Sequence, residues 1–326
     1  MVRTAHLALV AFALAAAGVS AQSLAPKDLP VREEIHPIQT FTLTDQQFLT
    51  GDRSGKPVTI SGELSIAQGT GKLPLVVLMH GSGGAGSNIQ YWKRVLNGMG
   101  ISTFVIDSLS GRGLSGVGDN QALLGRLNYI MDIYQALPIL AKHPRVDPNR
   151  IVLMGFSRGG QAALYASNKR FQQMWNASGI DFVAYVPFYP DCATTYRDDT
   201  SIVARPIRIF HGTPDNYNPV RSCKAYLQRL KEAKVDIELT EYPNAQHGFD
   251  SPLGANPAVS ATRDQSVREC TIGEGDNGVL MNKATSAQFT YKDDCVRLGP
   301  LVGYDPEATQ QATAAVTAFL KTVLKL

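Results

Sequence analysis

The segment Gly155-Phe156-Ser157-Arg158-Gly159 has the residue types and the spacing for nucleophilic catalysis. It matches the pattern G-x-S-x-G, follows the apolar run 151–154 and precedes a stretch of small residues. This context predicts a sharp turn from a buried strand to a helix, on which the serine hydroxyl is exposed and faces the positive end of the helix. We therefore predict that Ser157 is a nucleophile that attacks acyl bonds. The alternative is an ordinary strand-to-helix turn.

A serine nucleophile needs a base, which is usually a histidine. Two of the six histidines, His211 and His247, follow Ser157, as the order serine, acid, histidine of α/β-hydrolases requires. Because only His247 leaves room for an acid on a separate strand end, we predict that His247 is the base. His80 and His211 each follow a buried strand, and we expect both to be structural.

The acid is expected in the loop HGTPDN, which follows a predicted strand and contains Asp215. Asp215 lies 58 residues after Ser157 (215 − 157) and 32 residues before His247 (247 − 215). A carboxylate there would fix the tautomer of the histidine and stabilise the imidazolium. Asp191, after the preceding strand, is the alternative. Asp250 is so close to His247 in sequence that we expect a local cap or salt bridge instead.

The oxyanion of an acyl-transfer intermediate needs two hydrogen-bond donors. The backbone N–H of Arg158, the residue after the nucleophile, is one candidate. The second is expected in the loop HGSGG after the first buried parallel strand, where we choose Ser82, with Gly81 or Gly83 as alternatives.

Arg112 lies in a glycine-rich loop and is a candidate for binding a substrate carboxylate. The alternative is a structural arginine that ties this loop to a backbone carbonyl or to an acid.

The elements that position these residues follow from hydrophobic periodicity. Residues 38–43 and 58–64 alternate between apolar and polar, which predicts antiparallel strands. Continuous apolar runs, typical of strands that are covered on both faces, alternate with helical stretches. Strands are predicted at 73–79, 101–106, 151–154, 182–187, 207–210 and 237–242, and helices at 88–97, 121–143, from 158 to about 167, 219–233 and 306–324. This order predicts an α/β fold with a mostly parallel, doubly covered sheet and an antiparallel N-terminal start.

The sequence reads as one domain, residues 22–326, with a loose lead-in over 22–37. An insertion, residues 251–305, separates the last strand from the last helix. It is polar and rich in glycine, and a connection of this length is usually functional. Because it begins just after His247, we expect it to shape one wall of the substrate pocket.

Residues 1–21 have the pattern of a secretory signal peptide. One cation, Arg3, precedes the apolar run 7–19, and the small residues around Ala21 fit signal-peptidase cleavage. The apolar run is too short to span a bilayer, so we predict a secreted or periplasmic protein with no membrane partner. The formal charge of +3, or +2 without Arg3 (3 − 1), and the lack of a basic run exclude a nucleic-acid partner.

Four cysteines, an even number, predict disulfides in an exported chain. Three pairings are possible, and we favour the sequential one, Cys192 with Cys223 and Cys270 with Cys295. A loop of this size contributes about 3 kcal/mol in the chain-entropy model. The alternative, a metal site, lacks both a C-x-x-C motif and a nearby histidine cluster.

Six blocks of this sequence resemble the dienelactone hydrolase family in its exported branch. In chain order they are HGSGG, DSLSGRGLSG, HPRVDPNRIVLMGFSRGGQAAL, VPFYPDC, RIFHGTPDNYNPVRSC and NAQHGFD. The resemblance covers about residues 57–250 and the final helix. It implies a compact α/β-hydrolase without a large cap, a triad of Ser157, Asp215 and His247, and the Cys192–Cys223 pair. Dienelactone hydrolases proper carry cysteine where this chain has Ser157, which points to a general serine esterase.

The sequence therefore predicts a serine hydrolase that cleaves carboxylic esters or lactones through an acyl-enzyme. Its partner would be a small-molecule ester, and the mechanism needs no metal or organic cofactor. Nothing in the sequence indicates an oligomeric state. Two alternatives use the same fold, namely a serine peptidase similar to prolyl oligopeptidases and a non-catalytic binding protein.

Overall fold

An eight-stranded sheet forms the centre of the protein in a computed structural model, which describes residues 26–326. The predicted signal peptide lies outside the described residues. The strands of this sheet are β1 (Arg32–Thr42), β2 (Lys56–Ile66), β3 (Leu73–Met79), β4 (Ser102–Asp107), β5 (Val146–Phe156), β6 (Ala184–Phe188), β8 (Ile207–Gly212) and β9 (Ile237–Tyr242). The two-residue strand β7 (Thr194–Thr195) pairs outside this sheet.

The strand order is β1-β2-β4-β3-β5-β6-β8-β9. The pairs β1–β2 and β2–β4 are antiparallel, whereas every pair from β4 to β9 is parallel. The predicted fold class, a mostly parallel sheet with an antiparallel start, is therefore confirmed. Because parallel strands all end at the same edge, the loops after β3, β5, β8 and β9 meet there.

Within residues 26–326, seven α-helices accompany the sheet, namely α1 (Asp45–Thr50), α2 (Ser87–Gly98), α3 (Asn128–Lys142), α4 (Arg158–Tyr165), α5 (Lys169–Trp175), α6 (Val220–Glu232) and α7 (Pro306–Leu324). Successive residues of β3 pack into two different cores, as the pleat of a strand requires. Val76 and Leu78 face α2 and α7, while Leu75 and Val77 face the core that α3, α4 and α6 cover. Both faces of the sheet are thus buried, which explains the continuous apolar runs of its central strands.

Two predicted boundaries differ from the structure by six residues or more. The expected lead-in over 22–37 overlaps β1, which begins at Arg32 and pairs with β2 along its whole length. The helix expected from Gln121 begins at Asn128, and a short 3-10 turn, Gln121–Leu123, precedes it. The side chain of Asn128 accepts a hydrogen bond from Leu43 N and donates one to Leu43 O, so a contact with a distant segment fixes the start of α3.

The insertion 251–305 is ordered as short strands and a 3-10 turn, Asp276–Gly278. The strands are β10 (Val259–Ser260), β11 (Gln265–Ser266), β12 (Ile272–Glu274), β13 (Leu280–Asn282), β14 (Ala287–Gln288), β15 (Arg297–Leu298) and β16 (Leu301–Val302). β12 pairs with β7, which joins the insertion to the loop after β6. The buried Glu274 also forms ion pairs with Arg170 and Arg197 outside the insertion.

Both predicted disulfides are present. Cys192 is bonded to Cys223, which links the loop after β6 to α6, and Cys270 is bonded to Cys295 within the insertion. Among the residues described here, no helix has the length and apolar character needed to cross a membrane.

Candidate active site

Ser157 lies on the turn between β5 and α4, with backbone angles φ 56° and ψ −118°. A positive φ is strained for a residue with a side chain, by about 1–3 kcal/mol. Glycines on both sides make the turn possible. A Cβ atom on Gly155 would overlap the backbone of Gly159, and one on Gly159 would overlap the carbonyl oxygens of Met79 and His80. The strain and the close packing together hold the hydroxyl of Ser157 at the sheet edge.

His247 and Asp215 lie next to this serine, on the loops after β9 and β8. The Nε2 atom of His247 is 2.8 Å from Ser157 Oγ, and its Nδ1 atom is 2.8 Å from Asp215 Oδ2. The other carboxylate oxygen of Asp215 accepts hydrogen bonds from the backbone N–H groups of Tyr217 and Asn218, at 2.8 and 2.9 Å. His247 and Asp215 are both buried. The structure thus brings together the three residues that the sequence singled out.

The alternative histidines do not contact the serine. His80 and His211 are completely buried at strand ends, and each has its Nδ1 atom within 3.0 Å of the carbonyl oxygen of the next residue. Burial lowers the pKa of both imidazoles. Both are therefore placed where structural histidines were expected.

Asp191, the alternative acid, faces Arg126 instead of His247, with 3.1 Å between its Oδ2 atom and the guanidinium. The contacts of Asp250 contradict the expectation of a local cap or salt bridge. Its carboxylate accepts hydrogen bonds from Trp92 Nε1 (2.7 Å) and from the hydroxyl of Tyr189 (2.5 Å), two residues that are distant in sequence. Complete burial raises the pKa of Asp250 to about 6, although both hydrogen bonds act in the opposite direction.

Ser82 and Arg158, the predicted oxyanion donors, line the same cavity as Ser157. Arg158 is the first residue of α4, where a backbone N–H group has no partner within the helix. Ser82 belongs to the loop after β3, and its hydroxyl is 3.3 Å from Gln121 Oε1. The roles of both residues in binding an oxyanion stay predictions.

The cavity beside Ser157 is small and most of its lining residues are polar in type, with about 360 Å³ of empty space including its open mouth. Its wall carries two buried arginines, Arg126 and Arg158. Arg126 contacts Asp191, Thr194 and the hydroxyl of Tyr291, and Arg158 contacts Gln121 and Leu124 O. The insertion contributes Gln265, Ser266, Val267 and Tyr291 to the lining, which is where the expected pocket wall would lie.

Arg112 is not brought to this cavity. Its guanidinium forms a bidentate ion pair with the buried Asp132, at 2.7 and 2.8 Å, and also donates hydrogen bonds to Thr42 and to two backbone carbonyl groups. The side chain is 3% exposed. These contacts correct the prediction that Arg112 binds substrate, and they match the structural alternative.

Sequence reasoning missed Tyr189 and Tyr217, whose rings enclose the imidazole of His247. Tyr217 stacks on it with 4.5 Å between ring centroids and 27° between planes, and Tyr189 meets it at 4.7 Å and 62°. Tyr189 has a positive φ of 34°. Both residues lie within blocks that carry the family resemblance, VPFYPDC and RIFHGTPDNYNPVRSC, but their contact with His247 depends on how three loops meet.

Among the residues that the structure describes, one group has the donor types and proximity to hold a metal ion, namely Glu34, His36 and His143. This group does not line the cavity of Ser157. His143 Nδ1 accepts a hydrogen bond from Arg145 N, so Nε2 of the neutral ring carries the proton and is directed at Glu34. A metal ligand needs a lone pair at that atom, and these contacts therefore favour a hydrogen-bonded cluster around the Glu34 carboxylate.

Comparisons with known proteins agree with this architecture. The model of the dienelactone hydrolase family matches residues 60–324. A dienelactone hydrolase-like promiscuous phosphotriesterase from metagenomic libraries superposes with a TM-score of 0.57 at 18% identity, covering 89% of this chain and 98% of the other. An α/β-hydrolase from a Medee basin deep-sea metagenome library gives a TM-score of 0.52 at 15% identity, covering 90% and 99%. None of the curated proteins matches at a significant level.

Proposed function

Because the chain belongs to the dienelactone hydrolase family, we propose that it is a serine hydrolase that cleaves carboxylic ester or lactone bonds through an acyl-enzyme. The observation that carries the proposal is the continuous hydrogen-bonded chain from Ser157 Oγ through His247 to Asp215, with 2.8 Å at each step. This is the arrangement in which a histidine activates a serine hydroxyl and a carboxylate orients the histidine.

In the proposed first half-reaction, His247 Nε2 takes the proton of Ser157 Oγ while that oxygen attacks the ester carbonyl. The backbone N–H groups of Arg158 and Ser82 would bind the oxyanion. His247 then gives the proton to the leaving alcohol, which leaves the acyl group on Ser157. A water molecule, deprotonated by the same imidazole, then attacks the acyl group on Ser157. The imidazole returns the proton to Ser157 Oγ, and the carboxylic acid is released. Asp215 stays ionised throughout and stabilises the imidazolium. No metal or organic cofactor takes part.

The cavity wall supports a preference for acyl groups that carry hydrogen-bond acceptors. The guanidinium groups of Arg126 and Arg158 line this cavity, and within the described part of the chain Arg158 contacts neutral oxygens, those of Gln121 and Leu124, and no carboxylate. A cation without a carboxylate partner attracts a polar or negatively charged group on the substrate. We therefore favour esters whose acyl group is polar or negatively charged.

The decisive experiment compares wild type with Ser157→Ala on p-nitrophenyl acetate and labels both with a fluorophosphonate probe. We expect hydrolysis and labelling by wild type and neither by the variant. Equal rates in the two proteins would contradict the proposal, and a wild type that neither hydrolyses nor becomes labelled would favour a binding protein. A panel of p-nitrophenyl esters with neutral and carboxylate-bearing acyl chains, together with Pro- and Ala-amides, tests the substrate preference and separates esterase from peptidase.

We also propose that the enzyme acts outside the cytoplasm, as a secreted or periplasmic protein. The two disulfides support this location, because such bonds persist mainly in oxidising compartments.

A further inference from the structure

The end of the insertion contacts both loops that carry His247 and Asp215. Gly303 N donates to the carbonyl oxygen of His247 (3.0 Å), and His247 forms a parallel bridge with Val302. On the acid loop, Leu301 N donates to Asn216 Oδ1 at 2.7 Å. Three consecutive insertion residues, 301–303, therefore hold both loops at once.

Tyr217 connects the same two loops through its own atoms. Its backbone N–H donates to Asp215 Oδ1, while its ring stacks on the imidazole of His247. The residue is 7% exposed, so little space is left for its ring to move. If the Tyr217 ring rotated, the imidazole of His247 would lose the flat surface that limits its tilt.

The insertion in turn fixes Tyr217 at two points. Ser266 Oγ donates to the carbonyl oxygen of Tyr217 at 2.6 Å, and the Tyr217 hydroxyl donates to Asp264 Oδ2 at 3.4 Å. Asp264 itself is packed against Gly118, where an added Cβ atom would lie 2.9 Å from both carboxylate oxygens. The Asp264 carboxylate is therefore held in place beside the Tyr217–His247 stack.

We propose that the insertion is a positioning element for His247, which acts through Tyr217 and Asp264. The ring of Tyr217 sets the plane of the imidazole so that Nε2 points at Ser157, and the carboxylate of Asp264 stabilises the imidazolium that forms during acyl transfer. This inference rests on the proposed function and deepens it, because it gives the insertion a part in the chemistry beyond forming a pocket wall.

Other titratable groups also surround the imidazole. Asp215 binds its Nδ1 atom, His211 lies 4.0 Å from the same Asp215 oxygen, and the hydrogen-bonded pair of Asp250 and Tyr189 lies behind the ring. Burial raises the pKa of Asp264 and the charge of Asp119 adds to the rise, whereas the hydrogen bond from Tyr217 and the nearby charge of His247 act in the opposite direction. Since the other groups are unchanged in a variant of Asp264, a change in the titration of His247 can be assigned to this carboxylate.

The first test replaces Asp264 with Asn and follows the C2 proton of His247 by NMR as a function of pH. Loss of a nearby negative charge disfavours the imidazolium, so the titration curve of His247 is expected to move about half a pH unit lower. Asp276→Asn, which removes an exposed aspartate elsewhere in the insertion, is the matched control and is expected to leave the curve in place. A curve that does not move in D264N would overturn the role of Asp264, whether or not the protein is an esterase.

The second test compares Tyr217→Phe, which keeps the ring, with Tyr217→Leu, which removes the stack. Misplacement of a catalytic group lowers kcat more than it raises KM, and for Y217L we expect a loss of about 10-fold or more in kcat. Y217F should retain most of the activity. Tyr226→Phe serves as the control, because it removes another buried hydroxyl, one that donates to Asp199 O. Unchanged kcat in Y217L would overturn the positioning role.

The outcome for the proposed function is separate from these tests. If wild type lacks Ser157-dependent hydrolysis, the esterase proposal fails, and the positioning of His247 is then judged by NMR alone. If wild type hydrolyses esters while D264N matches it in the titration of His247 and Y217L matches it in kcat, the esterase proposal stands and the positioning inference fails.

Discussion

Two aspartates were candidates for the acid at the level of single residues, and their contacts differ. Asp215 faces the imidazole, whereas Asp191 faces Arg126. We expect Asp215→Asn to lower kcat by about 10³–10⁴-fold, because an amide stabilises the wrong tautomer of the histidine and cannot stabilise the imidazolium. Asp191→Asn is the matched control, with a smaller effect that appears mainly in KM. Steady-state kinetics on one ester decides between them, and a larger loss of kcat in D191N would reverse the assignment.

Asp250 gives a prediction about stability. Its pKa is raised by burial to about 6, from 3.8, so the folded state binds a proton more tightly than the unfolded state does. Stability from this group is fully present below about pH 4 and is lost as the pH rises to about 6. By linkage the loss amounts to about 3 kcal/mol.

In the variant Asp250→Asn the side chain at this position does not titrate, so its stability lacks this pH dependence. We therefore expect the free energy of unfolding of wild type, relative to D250N, to fall between pH 4 and pH 7, measured by urea denaturation at several pH values. A difference that is constant with pH would contradict this assignment.

The turn that carries Ser157 depends, at the level of elements, on close contact between β3, β5 and α4. Gly159→Ala would push a methyl group into the carbonyl oxygens of Met79 and His80, so we expect a loss of about 3 kcal/mol or more, or failure to fold. Gly83→Ala is the matched control, since no atom lies within 4 Å of its added Cβ, and its thermal midpoint should stay close to wild type. Equal midpoints for the two variants would show that the turn tolerates the methyl group.

The elements that were predictable from sequence are those whose signal is local. The continuous apolar run 73–79 predicted β3 with the bounds that the structure has, and 306–324 predicted α7 equally well. The start of α3 was not predictable, because Asn128 is set by hydrogen bonds to Leu43 and not by periodicity. The strands of the insertion have two or three residues each, which is too short to show a period, and their partners are distant in sequence, either within the insertion or, for β12, in the loop after β6.

The same distinction applies to the candidate site. Ser157, Asp215 and His247 could be proposed because chain order and strand ends restrict the choice. The stacking of Tyr217 on His247 and the burial of Asp250 between Trp92 and Tyr189 arise only when loops from separate strands meet. Arg112 was misassigned because its partner, Asp132, lies on a different element and carries no local signal.

The insertion connects distant parts of the whole molecule, and one disulfide, Cys270–Cys295, closes 25 residues within it. Replacing both cysteines with serine removes a loop constraint worth about 3 kcal/mol in the chain-entropy model, so the free energy of unfolding should fall by that order. If the insertion positions His247 through Tyr217, kcat should also fall at a temperature well below the unfolding midpoint.

The double variant Cys192→Ser/Cys223→Ser is the control, because its disulfide closes a loop of similar length, with a sequence separation of 31, outside the insertion. Similar losses of stability with a larger loss of kcat in the first variant are the expected result. Equal kcat in both variants and wild type would mean that the rigidity of the insertion does not contribute to catalysis.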